Sequence, residues 1–298
     1  MTIQWFPGHM AKARRQVTEK LKLIDVVIEL LDARLPLASR NPMIDEIVKD
    51  KPRLVLLNKI DLADPQVTEQ WVEFFREKEI VALPIDALSG RGVHRIAEHC
   101  KLLTEPIMEK RRAKGMNDRS IRTMILGIPN VGKSSLINRL AGKKVAQTGD
   151  RPAVTKSQQW VKMGELDLLD TPGILWPKFE DQLVGLRLAA SGAIKDEILD
   201  FGEVVLFVIE YLRMYYPEML RNRYKLDNLP NDRIELLEEI GRKRGCLMGR
   251  GQIDYDKVAE LILRELRSGK IGQISLEKPL DAFTMEILAS HPEENMVE

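Results

Sequence analysis

Two glycines with a lysine and a serine have the spacing of a phosphate-binding loop. Gly127 is followed after four residues by Gly132-Lys133-Ser134, between an apolar run and a helical pattern. Glycines let backbone N–H groups surround phosphates, and the amino terminus of the next helix favours negative charge. Lys133 would reach the β- and γ-phosphates and is therefore a predicted catalytic residue. We expect phosphate contacts from Asn130, Val131, Gly132, Lys133, Ser134 and Ser135.

A second group of residues could select the base. The tetrad Asn58-Lys59-Ile60-Asp61 follows the apolar run 52–57. An aspartate carboxylate accepts two hydrogen bonds from guanine N1 and its exocyclic amine, a donor pair that adenine lacks. We therefore predict guanine binding by Asn58, Lys59, Asp61 and the backbone N–H of Ala87. A kinase or ATPase acting on a small molecule is the rival interpretation, and the relative affinity for GTP and ATP separates the two.

The third group is Asp170-Thr171-Pro172-Gly173, which ends another apolar run. Its aspartate is the predicted carboxylate of a Mg²⁺ site, and the N–H of Gly173 is expected to contact the γ-phosphate. The hydroxyl of Ser134 is predicted to ligate the same Mg²⁺. Thr155 is the predicted switch threonine of this site, and Thr148 is the alternative.

The residue after this motif is Ile174. Ras-like enzymes have a glutamine there that orients the attacking water, and an isoleucine side chain forms no hydrogen bond. An activator or a distant residue must then assist hydrolysis. His9 is one candidate, although a lone histidine is more often structural. Asn130 is the other, either as a K⁺ ligand that neutralises transition-state charge or as a residue that only shapes the loop.

The guanine tetrad precedes the phosphate loop, which reverses the usual order of these motifs. Strands and helices nevertheless alternate around them, which predicts a doubly wound, mostly parallel sheet. The predicted strands are 24–31, 52–57, 80–85, 122–126, 160–163 and 166–169. The predicted helices between them are 42–49, 66–78, 93–110 and 133–140. After residue 177 only helical spacing is found, at 181–190, 204–216, 233–244 and 255–268.

These patterns predict an α/β chain made of a circularly permuted phosphate-loop domain followed by a small all-helical domain. The expected divisions are a basic segment 1–22, a nucleotide-binding domain 23–177 with a linker at about 110–120, a helical domain 178–285 and a polar tail 286–298. The chain is expected to run from Gly173 directly into the helical domain. The bound nucleotide, GTP or GDP, would then set the orientation of that domain.

The composition is that of a globular chain, with 44% hydrophobic and 31% charged residues. A net charge of +1 says nothing about partners. Basic clusters at 12–22, 110–114, 221–225 and 242–250 make an anionic partner plausible, although each could be a solvated helix face. Two cysteines exclude a disulfide framework. With no signal-peptide pattern and no long apolar run, we expect a cytoplasmic protein without a membrane span.

The chain resembles the circularly permuted GTPases over nearly its whole length. The resemblance rests on the rotated motif order and on three segments: Asp32-Ala33-Arg34-x-Pro36-x-x-Ser39-Arg40-Asn41-Pro42, Trp5-Phe6-Pro7-Gly8-His9-Met10 and Ser157-Gln158-Gln159-Trp160. Departures from the family pattern occur at Asp86 and Leu88 in the base-capping loop and at Ala153 before Thr155.

The resemblance implies a GTPase that binds GTP and GDP and uses Mg²⁺ and K⁺. It implies that the partner is the large ribosomal subunit late in assembly, and that this particle stimulates hydrolysis. It also implies a catalytic role for His9 and an RNA-binding role for the helical domain. The alternative is a nucleotide-gated RNA-binding scaffold whose hydrolysis is incidental.

Overall fold

The computed structural model describes residues 15, 17–48, 51–143, 160–169, 181–194 and 201–279. Within these residues no helix has the length and apolar character needed to cross a membrane. The predicted polar tail and most of the predicted basic segment lie outside the described residues.

A six-stranded sheet forms the centre of the nucleotide-binding region. Its strands are β1 (Val26–Asp32), β2 (Arg53–Asn58), β3 (Val81–Pro84), β4 (Ile121–Leu126), β5 (Trp160–Met163) and β6 (Leu166–Leu169). Their order across the sheet is β3-β2-β1-β4-β6-β5. All neighbours are parallel except β5 and β6, which form an antiparallel hairpin. This arrangement confirms the predicted mostly parallel sheet.

Nine helices accompany the strands within the described residues. They are α1 (Pro42–Val48), α2 (Pro65–Glu77), α3 (Ile96–Ala113), α4 (Lys133–Ala141), α5 (Gln182–Ser191), α6 (Phe201–Tyr215), α7 (Pro217–Tyr224), α8 (Arg233–Arg244) and α9 (Tyr255–Arg267). Aspartates at 64, 181, 232 and 254 cap the amino ends of α2, α5, α8 and α9 through their carboxylates. Gly142, Gly192 and Gly245 end α4, α5 and α8 in the left-handed conformation.

The helices differ from the predicted ones in two places. Helix α7 was missed because Tyr216-Pro217 separates it from α6, and proline favours the first turn of a new helix. Helix α3 continues to Ala113, so the first residues of the predicted linker 110–120 are helical. The proposed division of the chain near residue 177 stays a prediction.

One apolar core extends from the sheet into the helical region. Strand β1 is buried along its whole length, as expected for a central parallel strand. Residues of β1 and β4 belong to the same continuous cluster as Leu188 of α5, Val205 of α6 and Ile262 of α9. Trp71 and Phe75 of α2 form a second cluster on the other face of β1 and β2. The helical region therefore packs as a continuation of the nucleotide-binding region.

Candidate nucleotide-binding site

The predicted phosphate and guanine motifs lie side by side at one edge of the sheet. The phosphate loop leaves the carboxyl end of β4, and the guanine tetrad leaves the carboxyl end of β2. Strand β1 pairs with both and ends between them at Asp32. Ligands of parallel α/β sheets bind at this edge, so the sheet order brings together motifs that are distant in sequence.

Two glycines of the phosphate loop are required by close packing. A Cβ atom at Gly127 would lie 2.6 Å from the carbonyl oxygen of Leu30. At Gly132 the φ angle is +104°, and a Cβ atom would lie 2.3 Å from Nδ2 of Asn58. Any larger residue at either position would therefore push the phosphate loop away from β1 or from the guanine tetrad.

The side chain of Asn58 connects three loops of the site. Its Nδ2 donates to the carbonyl oxygen of Val131 in the phosphate loop at 2.8 Å. Its Oδ1 accepts the backbone N–H of Ala87 in the base-capping loop at 3.0 Å. The N–H of Ala87, which was predicted to contact the base, thus pairs here with the tetrad itself. Asn58 is buried, so both bonds are shielded from water.

The base-capping loop is shaped by Asp86, one of the residues that departs from the family pattern. Its carboxylate accepts the N–H groups of Leu88 at 2.8 Å and Ser89 at 3.2 Å, closing a tight turn. Arg139 of α4 donates from Nε to the carbonyl oxygen of Ala87 at 3.3 Å. The side chain of Asp86, which stands in place of the residue usual in the family, therefore fixes the conformation of the base-capping loop. Arg139 links that loop to the helix after the phosphate loop.

The lysine of the phosphate loop lies where the sequence predicts. Lys133 is the first residue of α4 and is mostly buried. Its ammonium donates to the carbonyl oxygens of Gly127 at 3.0 Å and Ile128 at 2.6 Å. Ser134 and Ser135 follow in the same first turn and are half-buried. The Nζ atom thus lies at the centre of the loop, where a bound phosphate chain would meet it.

Lys59 and Asp32 form an ion pair beside the tetrad. Lys59 has a φ angle of +67°, and its Nζ lies 2.9 Å from Oδ2 of Asp32. Arg34 binds the same carboxylate in a bidentate manner: its Nε donates to Oδ1 at 2.9 Å and its Nη2 donates to Oδ2 at 2.7 Å. Burial alone would raise the pKa of Asp32, but these two cations hold it well below its usual range. Asp32 therefore stays ionised and orients Lys59.

Asp61 differs from Asp32 in exposure and in its electrostatic environment. It lies at the surface, whereas Asp32 is buried. Partial burial and the negative charge of Asp86 raise the pKa of Asp61 above that of an ordinary aspartate. The positive charge of Arg34 acts in the opposite direction. This carboxylate is the one predicted to recognise guanine. Hydrogen bonds donated by a bound guanine would stabilise its ionised form.

The sequence did not identify two contacts between this site and the helical region. Arg34 Nη2 donates to the carbonyl oxygen of Ser191 at 3.2 Å, and Asn130 Nδ2 donates to that of Gly192 at 3.0 Å. Both acceptors belong to the turn that ends α5. In the sequence, Arg34 was recognised only as part of a family motif. No local pattern predicts its contact with a residue more than 150 positions later.

Several predicted site residues lie outside the described part of the chain: His9, Thr148, Thr155, Asp170, Gly173 and Ile174. Within the described residues, no group of three or more His, Cys, Asp or Glu side chains has the geometry of a metal site. Of the predicted Mg²⁺ ligands, only Ser134 can be located. Its hydroxyl oxygen at the amino end of α4 is the hard ligand type that Mg²⁺ prefers.

Comparison with known proteins agrees with this geometry. A family model described as "50S ribosome-binding GTPase" matches residues 122–244. That match begins at β4 and leaves out the tetrad 58–61, as expected when the tetrad has moved ahead of the phosphate loop. The GDP-bound structure of TM YlqF superposes with a TM-score of 0.63 at 28% identity, covering 90% of this chain and 100% of that one.

Curated relatives match over almost the whole chain. "Ribosome biogenesis GTPase A" of Bacillus cereus is 62% identical over 280 residues, covering 94% of this chain and 95% of that protein. The protein of the same name from Thermotoga maritima is 31% identical over 280 residues, with 94% and 95% coverage. These likenesses confirm the predicted circularly permuted GTPase fold and the hydrolysis of GTP. The chain belongs to the ribosome biogenesis GTPase A family.

Proposed function

We propose that this GTPase is an assembly factor that binds the large ribosomal subunit late in its maturation and hydrolyses GTP when that particle stimulates it. The names of its relatives support a role in ribosome biogenesis, and the description of its matching family model points to the 50S subunit. We further propose that it acts in the cytoplasm, where bacterial subunits mature.

The observation that carries the proposal is the turn at the end of α5. Its two adjacent carbonyl oxygens accept hydrogen bonds from Arg34, beside the guanine tetrad, and from Asn130, within the phosphate loop. A displacement of this turn would disturb both ends of the nucleotide site. A particle bound to the helical region can therefore alter hydrolysis, and a change of nucleotide can alter particle binding.

In the hydrolysis step, the chain positions the phosphates and stabilises their charge. Lys133 holds the β- and γ-phosphates with its ammonium, assisted by backbone N–H groups of residues 130–135 and of Gly173. Ser134, Thr155 and Asp170 would hold Mg²⁺, which GTPases generally use and which would supply positive charge to the phosphates. Asn58, Lys59 and Asp61 would hold the base, and Ala87, whose N–H is bonded to Asn58, would support it from the base-capping loop.

Orientation of the attacking water is assigned to groups outside the usual position. Ile174 cannot form a hydrogen bond, so His9 is proposed to orient the water in the particle-bound state. Asn130 is proposed to ligate K⁺ through Oδ1, because its Nδ2 is used on Gly192. A monovalent cation there would add positive charge next to the phosphates in the transition state.

The RNA-binding surface is proposed to lie in the helical region. Many of its basic residues are already paired with acids, as Arg242 is with Glu238 and Arg244 with Glu265. Lys225 and Arg250 are exposed and have no ion pair among the residues that the structure describes. Arg250 lies in the short loop between α8 and α9, which also carries the exposed side chains of Leu247 and Met248. Within the basic clusters 221–225 and 242–250, these two cations are therefore proposed to make phosphate contacts.

Co-sedimentation with purified large-subunit particles tests the proposal. Binding should be stronger with a non-hydrolysable GTP analogue than with GDP. Purified small subunits should not bind the protein in the same assay. Equal sedimentation with both nucleotides would contradict a GTP-dependent assembly role. A His9→Ala variant that kept full stimulated hydrolysis would remove His9 from the mechanism and favour the scaffold alternative.

A further inference from the structure

The segment that follows α9 runs along the guanine-binding loop. We define the closing segment as residues 271–278 and the guanine loop as residues 59–64. Gln273 Nε2 donates to the carbonyl oxygens of Ile60 and Asp61, both at 3.3 Å. The next two residues continue the pairing, with Ile274 N–H donating to Leu62 O at 2.9 Å and Ser275 Oγ accepting Asp64 N–H at 3.2 Å.

The other end of the closing segment is fixed independently of Gln273. The buried carboxylate of Glu277 accepts the N–H groups of Leu37 at 2.7 Å and Ala38 at 3.2 Å. Arg187 of α5 donates to the same carboxylate at 3.0 Å, and both of these side chains are fully buried. The closing segment therefore stays attached to the molecule when Gln273 alone is changed.

The guanine loop needs such support because of its backbone conformation. Lys59 has a left-handed φ angle of +67°, which a lysine rarely adopts without tertiary contacts. The next backbone bond, from Ile60 N–H to Ile85 O, is long at 3.4 Å. Both carbonyl groups held by Gln273 follow this strained residue, and the second belongs to Asp61 itself. The Gln273 amide thus acts on the peptide groups that set the direction of the Asp61 side chain.

We propose that Gln273 is a positioning residue for guanine recognition. Its amide holds the peptide groups of Ile60 and Asp61 so that the Asp61 carboxylate meets N1 and the 2-amino group of guanine. The inference rests on the proposed role of Asp61 in base binding. Because the closing segment continues directly from α9, base selectivity depends on the docking of the helical region as well as on the tetrad.

The affinities for GDP and IDP test this inference, since inosine lacks only the 2-amino group. The GDP-to-IDP affinity ratio reports the hydrogen bond from that group to Asp61. Gln273→Glu places an acceptor-only carboxylate against two carbonyl oxygens and should lower the ratio by about tenfold, the value of one charge-assisted hydrogen bond. Gln273→Lys keeps a donor and should preserve the ratio. Gln252→Glu, at another exposed glutamine, is the matched control.

Each result decides between a positioning role and the alternatives. A ratio that falls in Gln273→Glu and is kept in Gln273→Lys supports the inference. An unchanged ratio in Gln273→Glu, or an equal loss of GDP and IDP affinity, overturns it, since a purely structural role would weaken both nucleotides alike. Asp61→Ala should lose the discrimination between the two bases. If Asp61→Ala keeps the GDP-to-IDP ratio, the assignment of Asp61 fails. If Asp61→Ala loses the ratio but Gln273→Glu keeps it, only the role of Gln273 is refuted.

Discussion

The side-chain amide of Asn58 donates to the carbonyl oxygen of Val131 at 2.8 Å, joining the guanine tetrad to a phosphate loop 73 residues later in the chain. The same side chain accepts the N–H of Ala87. These contacts show how a rotated motif order still produces one site. The sheet brings the strand ends together, and a single buried amide connects the loops that leave them.

Replacing Asn58 with alanine should weaken GDP binding. The substitution removes two buried hydrogen bonds and leaves the carbonyl of Val131 and the N–H of Ala87 without these partners. Each lost bond costs about 1 kcal/mol or more, so the dissociation constant for GDP should rise at least about tenfold. Isothermal titration calorimetry measures this change. Asn117→Ala, at an exposed position after α3, should bind GDP like the wild type, and an equal loss in both variants would refute the role of Asn58.

Particle-stimulated hydrolysis should be faster in K⁺ than in Na⁺, and Asn130→Ala should abolish the difference. The substitution removes the proposed K⁺ ligand Oδ1 together with the bond to Gly192. A cation beside the phosphates would stabilise the charge of the transition state, and a rate advantage for K⁺ of about tenfold, or about 1.4 kcal/mol, is expected. Phosphate release at equal ionic strength in the two salts gives the comparison. Equal wild-type rates would exclude the K⁺ site.

Arg187→Ala should strongly destabilise the fold. The side chains of Arg187 and Glu277 are fully buried and joined at 3.0 Å, so the substitution leaves the buried carboxylate without its guanidinium partner. Removing one partner of a buried ion pair costs about 3–5 kcal/mol. Urea denaturation of the whole chain measures the loss in the free energy of unfolding. Arg76→Ala breaks the exposed pair with Glu73 and should leave the stability close to that of the wild type. Similar stabilities for the two variants would contradict the anchoring role of Glu277.

Arg250→Glu should weaken binding to large-subunit particles without affecting GDP affinity. If Arg250 contacts a phosphate, its loss should also lower the slope of log affinity against log salt concentration by about one. Filter binding over a range of KCl concentrations measures that slope. Arg95→Glu introduces the same charge change at an exposed residue before α3. A variant of Arg250 that bound with the wild-type slope would move the RNA-binding surface elsewhere.

The meeting of the phosphate loop and the tetrad at one edge of the sheet was predictable, because both motifs occupy local patterns. Buried runs ending at Leu57 and Leu126 predicted strands, and parallel strands bring such ends to one edge of a sheet. The contacts from Asn130 to Gly192 and from Gln273 to Asp61 were not predictable. They join residues 62 and 212 positions apart, and their geometry depends on how the helices pack against the sheet. Asp86 was recognised only as a departure from the family, since the turn that it closes requires coordinates.

The most direct test of the central claim is the single-turnover rate of GTP hydrolysis with and without purified large-subunit particles. With Ile174 in place of a water-orienting glutamine, the intrinsic rate should be slow, on the order of 10⁻⁴ per second. Saturating particles should raise it by about a hundredfold or more, while small subunits leave it unchanged. A rate that did not rise with large-subunit particles, or that rose equally with small subunits, would contradict the proposal that the particle controls hydrolysis.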